Sequence, residues 1–311
     1  MSKTYQMRKV IIAGGTGFIG RYLSEYYLKK GFEVVVFSRR ISKTEQNIRY
    51  VSWDGKTLSD WQKELENSYL LINLSGKTVA VRHNSKNKKE ILDSRIDSTR
   101  VLNKAIALCQ NPPKYWMNSS GATIYKTSFT QSRDEYFQEI EPEFLTEVIK
   151  AWEEEFFENS NAKTKKLALR TAVVLGKSGD TFEKLNQLSK LGLGGKQGSG
   201  KQIMSWIHIE DFARIIDFAI ENNLEGFVNI ASPNPVTNSE MMRAFRKANK
   251  IPFGIPTPEF LLRIGTKIIG VEPDFVLKSY NVVSKRLKES GFEFKFPEID
   301  KALEDLTKKE N

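Results

Sequence analysis

Glycines at positions 14, 17 and 20 punctuate the segment Val10-Ile11-Ile12-Ala13-Gly14-Gly15-Thr16-Gly17-Phe18-Ile19-Gly20, and their spacing suits the holding of a phosphate. An apolar run that reads as a buried strand enters them, and a helix-like stretch from Arg21 to Lys30 leaves them. Gly14 permits a tight turn off the strand, Gly17 lets backbone N–H groups approach a pyrophosphate, and Gly20 lets the helix pack close to the strand. Thr16, Phe18 and Ile19 fill the turn between them. The helix N-terminus then offers unpaired N–H groups and a partial positive charge to an anion. A glycine triplet alone is a weak signal, but strand before and helix after is the context that a dinucleotide requires.

The next strand-like run, Glu33-Val34-Val35-Val36-Phe37-Ser38, bears on which dinucleotide this would be. A site selective for NAD carries an acidic side chain at the end of this strand, about 20 residues beyond the glycines, to accept from the ribose 2′-hydroxyl. Here Ser38 is followed by Arg39 and Arg40. Guanidiniums cannot accept from a hydroxyl, but they hold a 2′-phosphate through charge-assisted hydrogen bonds. The pattern therefore predicts NADP(H), with Ser38, Arg39 and Arg40 around the extra phosphate.

Other residues with chemical capacity are more scattered. The chain carries a net charge of +10 over 311 residues, and its densest basic cluster is Arg82, His83, Lys86, Lys88 and Lys89. No recognition motif or interleaved aromatics accompany that cluster, so nucleic acid is not an expected partner. A small anionic ligand accounts for the excess of positive charge. Gly195-Lys196-Gln197-Gly198-Ser199-Gly200-Lys201-Gln202 nearly spells a phosphate-binding loop. It ends in Gln where Ser or Thr is needed and runs into a strand-like segment, so it reads as a substrate-side loop whose Lys201 can meet a phosphate. His208 precedes Glu210 and Asp211, one of which should cap the following helix. His208 itself fits either a packed, hydrogen-bonded position or the substrate side. The two histidines do not make metal-ligand spacing with Cys109, and no metal is expected.

The elements that must position these groups alternate. Strand-like runs fall at Val10–Ala13, Glu33–Ser38, Ile48–Trp53, Tyr69–Leu74, Tyr115–Ser119, Lys166–Val174 and Phe227–Ile230, with helical patterns at Lys86–Leu108, Phe144–Asn159 and Asp211–Glu221. Such alternation predicts an α/β fold, a doubly wound parallel sheet with helices on both faces. Glycines and then prolines dominate after Leu175. Residues 1–175 are expected to form the dinucleotide-binding domain, with 203–231 returning to it, and 176–202 with 232–311 a smaller C-terminal lobe. The short polar N-terminus lacks a signal-peptide core, and no run is long enough to span a membrane. With Cys109 as the one cysteine, a reducing cytoplasm is the expected compartment.

The chain resembles the extended short-chain dehydrogenases/reductases, and more closely the atypical epimerase/dehydratase-like subgroup with a C-terminal domain of unknown function. The resemblance rests on Asn73-Leu74-Ser75-Gly76 after the fourth strand, Arg82, the helix motif Ile91-x-x-Ser94-Arg95, and Leu169-Arg170-Thr171. It continues through Leu191 to Gly200, Met204 to Asp211, and Pro256 to Pro297. It implies a Rossmann-type domain binding NADP(H), with Asn73, Leu74, Ser75 and Gly76 beside the adenosine-side ribose. It implies a small anionic substrate such as a nucleotide sugar, met by Arg82, Lys201 and His208. Homo-oligomers are also in keeping with it.

The family's chemistry is hydride transfer, in which a Tyr-x-x-x-Lys pair serves as base and a Ser or Thr polarises the substrate oxygen. The helix that should carry the pair, starting at Phe144, contains no tyrosine, and Gly121 stands where the Ser or Thr often lies. Ser119, Ser120 and Tyr125 are the nearest substitutes, each equally suited to a structural role. An enzyme of the epimerase, dehydratase or reductase type is one reading. The other is a non-catalytic NADP(H) sensor or interaction protein, in keeping with the cell-division-inhibitor label of some members.

Overall fold

Val10, Ile11, Ile12 and Ala13 are all fully buried, yet they serve two different cores. Alternate side chains of a strand face opposite ways, so Val10 and Ile12 join one apolar cluster while Ile11 and Ala13 join another. A strand covered on both faces is the mark of a parallel sheet between helical layers. The computed structural model describes residues 7–39, 42–158, 163–268 and 272–308.

In chain order the elements are β1 (Lys9–Ala13), α1 (Phe18–Lys29), β2 (Glu33–Ser38), β3 (Lys43–Glu45), β4 (Ile48–Ser52), β5 (Leu70–Asn73), α2 (Ser85–Leu108), β6 (Tyr115–Gly121), α3 (Phe144–Phe157), β7 (Lys165–Thr171) and β8 (Val173–Leu175). There follow α4 (Asp180–Lys190), β9 (Ile203–Met204), β10 (Trp206–His208), α5 (Ile209–Glu221), β11 (Gly226–Ile230), β12 (Val236–Thr237), α6 (Asn238–Ala248), α7 (Glu259–Ile268), α8 (Asp274–Leu277), α9 (Lys285–Glu289) and α10 (Ile299–Thr307). Eight strands form the main sheet in the order β11-β7-β6-β5-β1-β2-β4-β3, all parallel except the β3–β4 pair. This is a Rossmann-type α/β fold, as the alternation predicts.

Three departures from the sequence pattern have local causes. β3 is an edge strand turned back through Gln46 and Asn47, both left-handed (φ 49° and 62°), the backbone that a two-residue hairpin needs. The run Lys166–Val174 is two strands, not one. At Ala172, whose N–H donates to the Ile230 carbonyl (3.1 Å), the chain leaves the main sheet and β8 pairs with β10 instead. α1 begins at Phe18, earlier than Arg21, because Gly17 is its N-cap.

α1 and α5 cover one face of the sheet; α2 and α3 cover the other. A third cluster joins Leu175 and Trp206 to Phe182 and Leu185 of α4, Met241, Met242 and Phe245 of α6, and Leu303 and Leu306 of α10. Two buried carboxylates tie late segments to the earlier fold. Asp211, with no exposed surface, accepts from the N–H groups of Lys295 (2.9 Å) and Phe296 (2.8 Å) and from Arg214 Nη1 (2.7 Å). Glu135 accepts from Asn229 N (2.9 Å), Ser284 Oγ (2.7 Å) and Lys285 N (2.9 Å). Among the described residues no helix is long and apolar enough to cross a membrane.

Lys166 lies in the core beneath α2 and α3. Its Nζ donates to Asn103 Oδ1 (3.0 Å) and the Phe156 carbonyl (2.7 Å), close to the rings of Trp116 and Phe156. Burial lowers its pKa to about 8, against 10.5 ordinarily. The unfolded chain therefore holds this proton to higher pH than the folded one, and the lysine's contribution to stability rises from about pH 8 to about pH 10.5. In urea denaturation at stepped pH, wild type should gain stability relative to Lys166→Met across that window, and a constant difference would count against a buried amine.

Candidate functional site

The chain steps outward from β1 through β2 to β4, then returns to the other side of β1 as β5. Such a reversal opens a crevice beyond the carboxyl ends of the two central strands, where dinucleotides bind in folds of this type. Gly14 takes a left-handed conformation there (φ 73°) and donates to the Phe37 carbonyl (3.0 Å). A Cβ at Gly14 would lie 2.9 Å from Ser75 N, and one at Gly20 would lie 2.4 Å from the Gly15 Cα. At Gly17, by contrast, a Cβ would meet only the Gly14 carbonyl oxygen at 3.9 Å, so open space lies over the turn. No side chain caps α1, leaving its first amides available to an anion. Arg21 Nη1 donates to the Thr16 carbonyl (2.9 Å), Phe18 packs against Gly176 and Gly179, and Ile19 packs on the core.

On the other lip of the crevice Asn73 is fully buried. Its Nδ2 donates to Asn118 Oδ1 (2.7 Å), and its Oδ1 accepts from Ser75 N (3.1 Å). Leu74 N donates to the Ala13 carbonyl (2.9 Å), which joins the lip to β1. Asn73 thus shapes the lip, and Ser75 and Gly76 are presented by it. The Ser75 hydroxyl is buried with no hydrogen-bond partner. An unanswered hydroxyl beside Gly14 and below the open space at Gly17 fits a bound phosphate or ribose. Ser38 is buried at the end of β2, Arg39 beyond it is exposed, and Arg40 lies outside the described residues.

At the end of β6 the candidate catalytic hydroxyls lie in different surroundings. Ser119 is partly exposed. Ser120 Oγ donates to Glu153 Oε1 (2.6 Å), and Glu153 is gripped by Arg170 through Nε (2.8 Å) and Nη2 (2.7 Å). The Tyr125 hydroxyl accepts from Arg170 Nη1 (3.0 Å) and donates to Asn229 Oδ1 (2.8 Å). Burial raises the pKa of this phenol, opposite to what a general base needs. Ser120 and Tyr125 are therefore knit into a buried network spanning β6, α3, β7 and β11. Sequence spacing gave no hint of it, because Glu153 and Arg170 are contributed from distant positions.

α3 faces the end of β6 with an apolar surface. A Cβ on Gly121 would lie 2.8 Å from Ile149 Cδ1, and Leu145 is one turn earlier on that helix face. No Tyr or Lys side chain is supplied at this pair of positions. A basic cleft opens farther out, lined by Arg82, His83, Asn84, Arg263, Lys267 and Glu272. The His83 ring, 5.2 Å from that of Phe144, links it to the start of α3. Lys201 is exposed on the loop before β9.

His208 is elsewhere: its ring stacks on Phe296 (3.9 Å), its Nε2 faces Asp305 of α10, and its Nδ1 accepts from Glu210 N (3.1 Å). His208 is thus itself the N-cap of α5, in place of Glu210 or Asp211, because the Asp211 carboxylate is already engaged by Lys295 and Phe296. Cys109 is the C-cap of α2 and half-buried, with its thiol pKa pushed up to about 11 by burial.

A parallel sheet with a glycine turn at its crevice defines a dinucleotide-binding protein of the Rossmann type. The profile of the NAD dependent epimerase/dehydratase family matches residues 10–231, and that of a domain of unknown function, DUF1731, matches residues 257–306. The chain belongs to the NAD dependent epimerase/dehydratase family, within the extended short-chain dehydrogenases/reductases. It is 31% identical to the epimerase family protein YfhF of Bacillus subtilis over 299 residues, covering 96% of this chain and 97% of that one. It is 32% identical to the mouse epimerase family protein SDR39U1 over 303 residues, covering 96% and 99%. The crystal structure of human epimerase family protein SDR39U1 (isoform 2) with NADPH superposes with a TM-score of 0.84 at 30% identity, covering 96% of this chain and 99% of that one. The UDP-N-acetylglucosamine 4-epimerase from Bacillus cereus shares the fold, with a TM-score of 0.75 at 18% identity and coverage of 96% and 95%.

Tyr125→Phe leaves Asn229 Oδ1 without its donor inside the network. Urea denaturation should show a loss of about 1–3 kcal/mol, while dinucleotide affinity stays that of wild type.

Proposed function

We propose that this protein binds NADP(H) in the β1/β5 crevice and carries out hydride-transfer chemistry on a small anionic substrate of the nucleotide-sugar kind. The observation that carries this reading is the open glycine turn facing the unpartnered Ser75 hydroxyl. When bound, the nicotinamide supplies hydride exchange with a substrate carbon. In this reading α1 offers its first amides to the pyrophosphate, Arg39 and Arg40 hold the 2′-phosphate, and Ser119 approaches the nicotinamide end. The human relative solved with NADPH supports the choice of NADP(H) over NAD. The cationic side chains Arg82, Arg263 and Lys267, lining one cleft, support an anionic substrate.

A second reading, a non-catalytic protein that senses the redox state of its dinucleotide, draws on the apolar Leu145/Ile149 face of α3. An acid–base pair in that position is the family's means of moving the substrate proton, and hydrocarbon cannot do so. Parallel fluorescence titrations with NADPH, NADP⁺ and NADH separate the readings. Similar affinity for the two NADP forms is expected of an enzyme that cycles between them, whereas strong preference for one form favours the sensor. Arg39→Ala is expected to weaken NADPH by about tenfold and NADH little, as loss of a charge-assisted phosphate contact demands. An equal fall for both would remove Arg39 from the 2′-phosphate.

A further inference from the structure

Arg95 is a half-buried cation that no described residue neutralises. It projects from the middle of α2 toward Gly76 on the crevice lip, and among the described residues no carboxylate pairs with it. Its Nη1 donates to the carbonyls of Lys77 (2.9 Å) and Ile91 (3.0 Å), and its guanidinium carbon lies 5.0 Å from the Trp152 ring of α3. The neighbouring cations are matched: Lys77 with Glu90, Lys89 with Asp93 and Arg100 with Glu155. Among the described residues Nε and Nη2 of Arg95 have no acceptor. The absence of a side chain at Gly76 makes room for the group, since a Cβ there would sit 3.1 Å from the guanidinium carbon. Desolvation lowers the Arg95 pKa to about 10, as expected for a cation without a counter-charge.

A second, independent observation lies at the adjacent residue, where Ser75 keeps a buried hydroxyl without a partner. A forked cation packed against Gly76 and a hydroxyl on the residue before it, both with unused donors, suit the oxygen acceptors of a phosphate or carboxylate. Their position is equally specific. Ser75 and Gly76 stand on the β5 side of the crevice, opposite the β2 side that bears Arg39. Trp152, which flanks Arg95, is one turn beyond Ile149, the residue packed on Gly121.

We propose that Arg95 and Ser75 form an anion seat on the β5 side of the crevice, taking a phosphate or carboxylate of the ligand. This rests on the dinucleotide reading above. The anion has two possible sources, the nicotinamide-side phosphate of the cofactor or the acidic group of a substrate lying against it. In either case the seat supplies a fixed positive charge near the apolar α3 face that lacks the family's lysine.

The test is a set of titrations on wild type, Arg95→Met, Arg95→Lys and Ser75→Ala, with melting temperatures recorded on the same ligand-free samples. NADPH is compared with adenosine 2′,5′-bisphosphate, which lacks the nicotinamide-side phosphate, and UDP-glucuronate is titrated into NADPH-loaded protein. If Arg95→Met weakens NADPH by about tenfold or more while leaving the bisphosphate unchanged, the cofactor phosphate occupies the seat. If NADPH is unaffected but UDP-glucuronate binding is lost, the substrate's acid occupies it. Unchanged binding of all three probes by Arg95→Met overturns the proposal and leaves Arg95 as a packing partner of Trp152. Should Arg95→Met melt far below wild type, Arg95→Lys decides, because it keeps the charge and loses the fork: wild-type NADPH and UDP-glucuronate binding by that variant and by Ser75→Ala overturns the seat. Wild type that binds no NADPH at all refutes the dinucleotide reading itself, a result distinct from wild-type binding with indifferent variants.

Discussion

Between β1 and β5 the backbone of Gly14 comes so near Ser75 that even a methyl group at position 14 would collide with the serine's amide nitrogen. That approach is possible because the sheet's strand order reverses at this point, so the segments beyond the two strands depart to opposite sides. The remaining geometry of the cleft follows from it. Asn73 must turn inward to bind Asn118 and the Ser75 amide, which fixes the lip and points Ser75 and Gly76 into the crevice. With the lip fixed, Gly76 can admit the Arg95 guanidinium, and the start of α1 is left bare on the opposite side.

The polar groups at the ends of the strands are divided between two depths. The deeper set, Ser120, Glu153, Arg170, Tyr125 and Asn229, satisfies itself. A buried arginine and carboxylate held in this way are costly to separate, so the set acts as a rigid floor. The shallower set, Ser75, Arg95 and Ser119, has donors to spare. Leu145 and Ile149 give α3 an apolar face toward the end of β6. The cleft therefore sets unused polar groups on its β5 lip against a hydrocarbon surface on α3.

Much of the fold was legible in the sequence for identifiable reasons. The glycine turn can be read because its requirements fall on the backbone and lie within a few residues. The alternation of apolar strands and amphipathic helices can be read because both faces of the sheet are buried. The β3–β4 hairpin escaped because its turn uses Gln46 and Asn47 in place of glycine. α7 carries Phe260, Leu261 and Ile264 at helical spacing, but that apolar stripe is exposed and does not mark a core. The fate of the candidate hydroxyls was not legible at all. Ser120 meets a carboxylate 33 positions away and Tyr125 an amide 104 positions away, and no local spacing announces either. Arg95 was visible only as part of a motif, since the lack of a counter-charge is a property of three-dimensional surroundings.

The carboxylates of Asp211 and Glu135 also constrain the order in which the molecule can be completed. The amides that answer Asp211 belong to residues 84 and 85 positions later, and those of Lys285 and Arg286 that answer Glu135 come 150 and 151 positions later. On a ribosome the sheet emerges first, with two charged side chains that have only part of their partners, Arg214 for Asp211 and the Asn229 amide for Glu135. The nascent sheet must hold these carboxylates in water, with their surroundings open, until residues 284–296 arrive. Arrival of residues 284–296, more than formation of the sheet, is then the event that closes the fold.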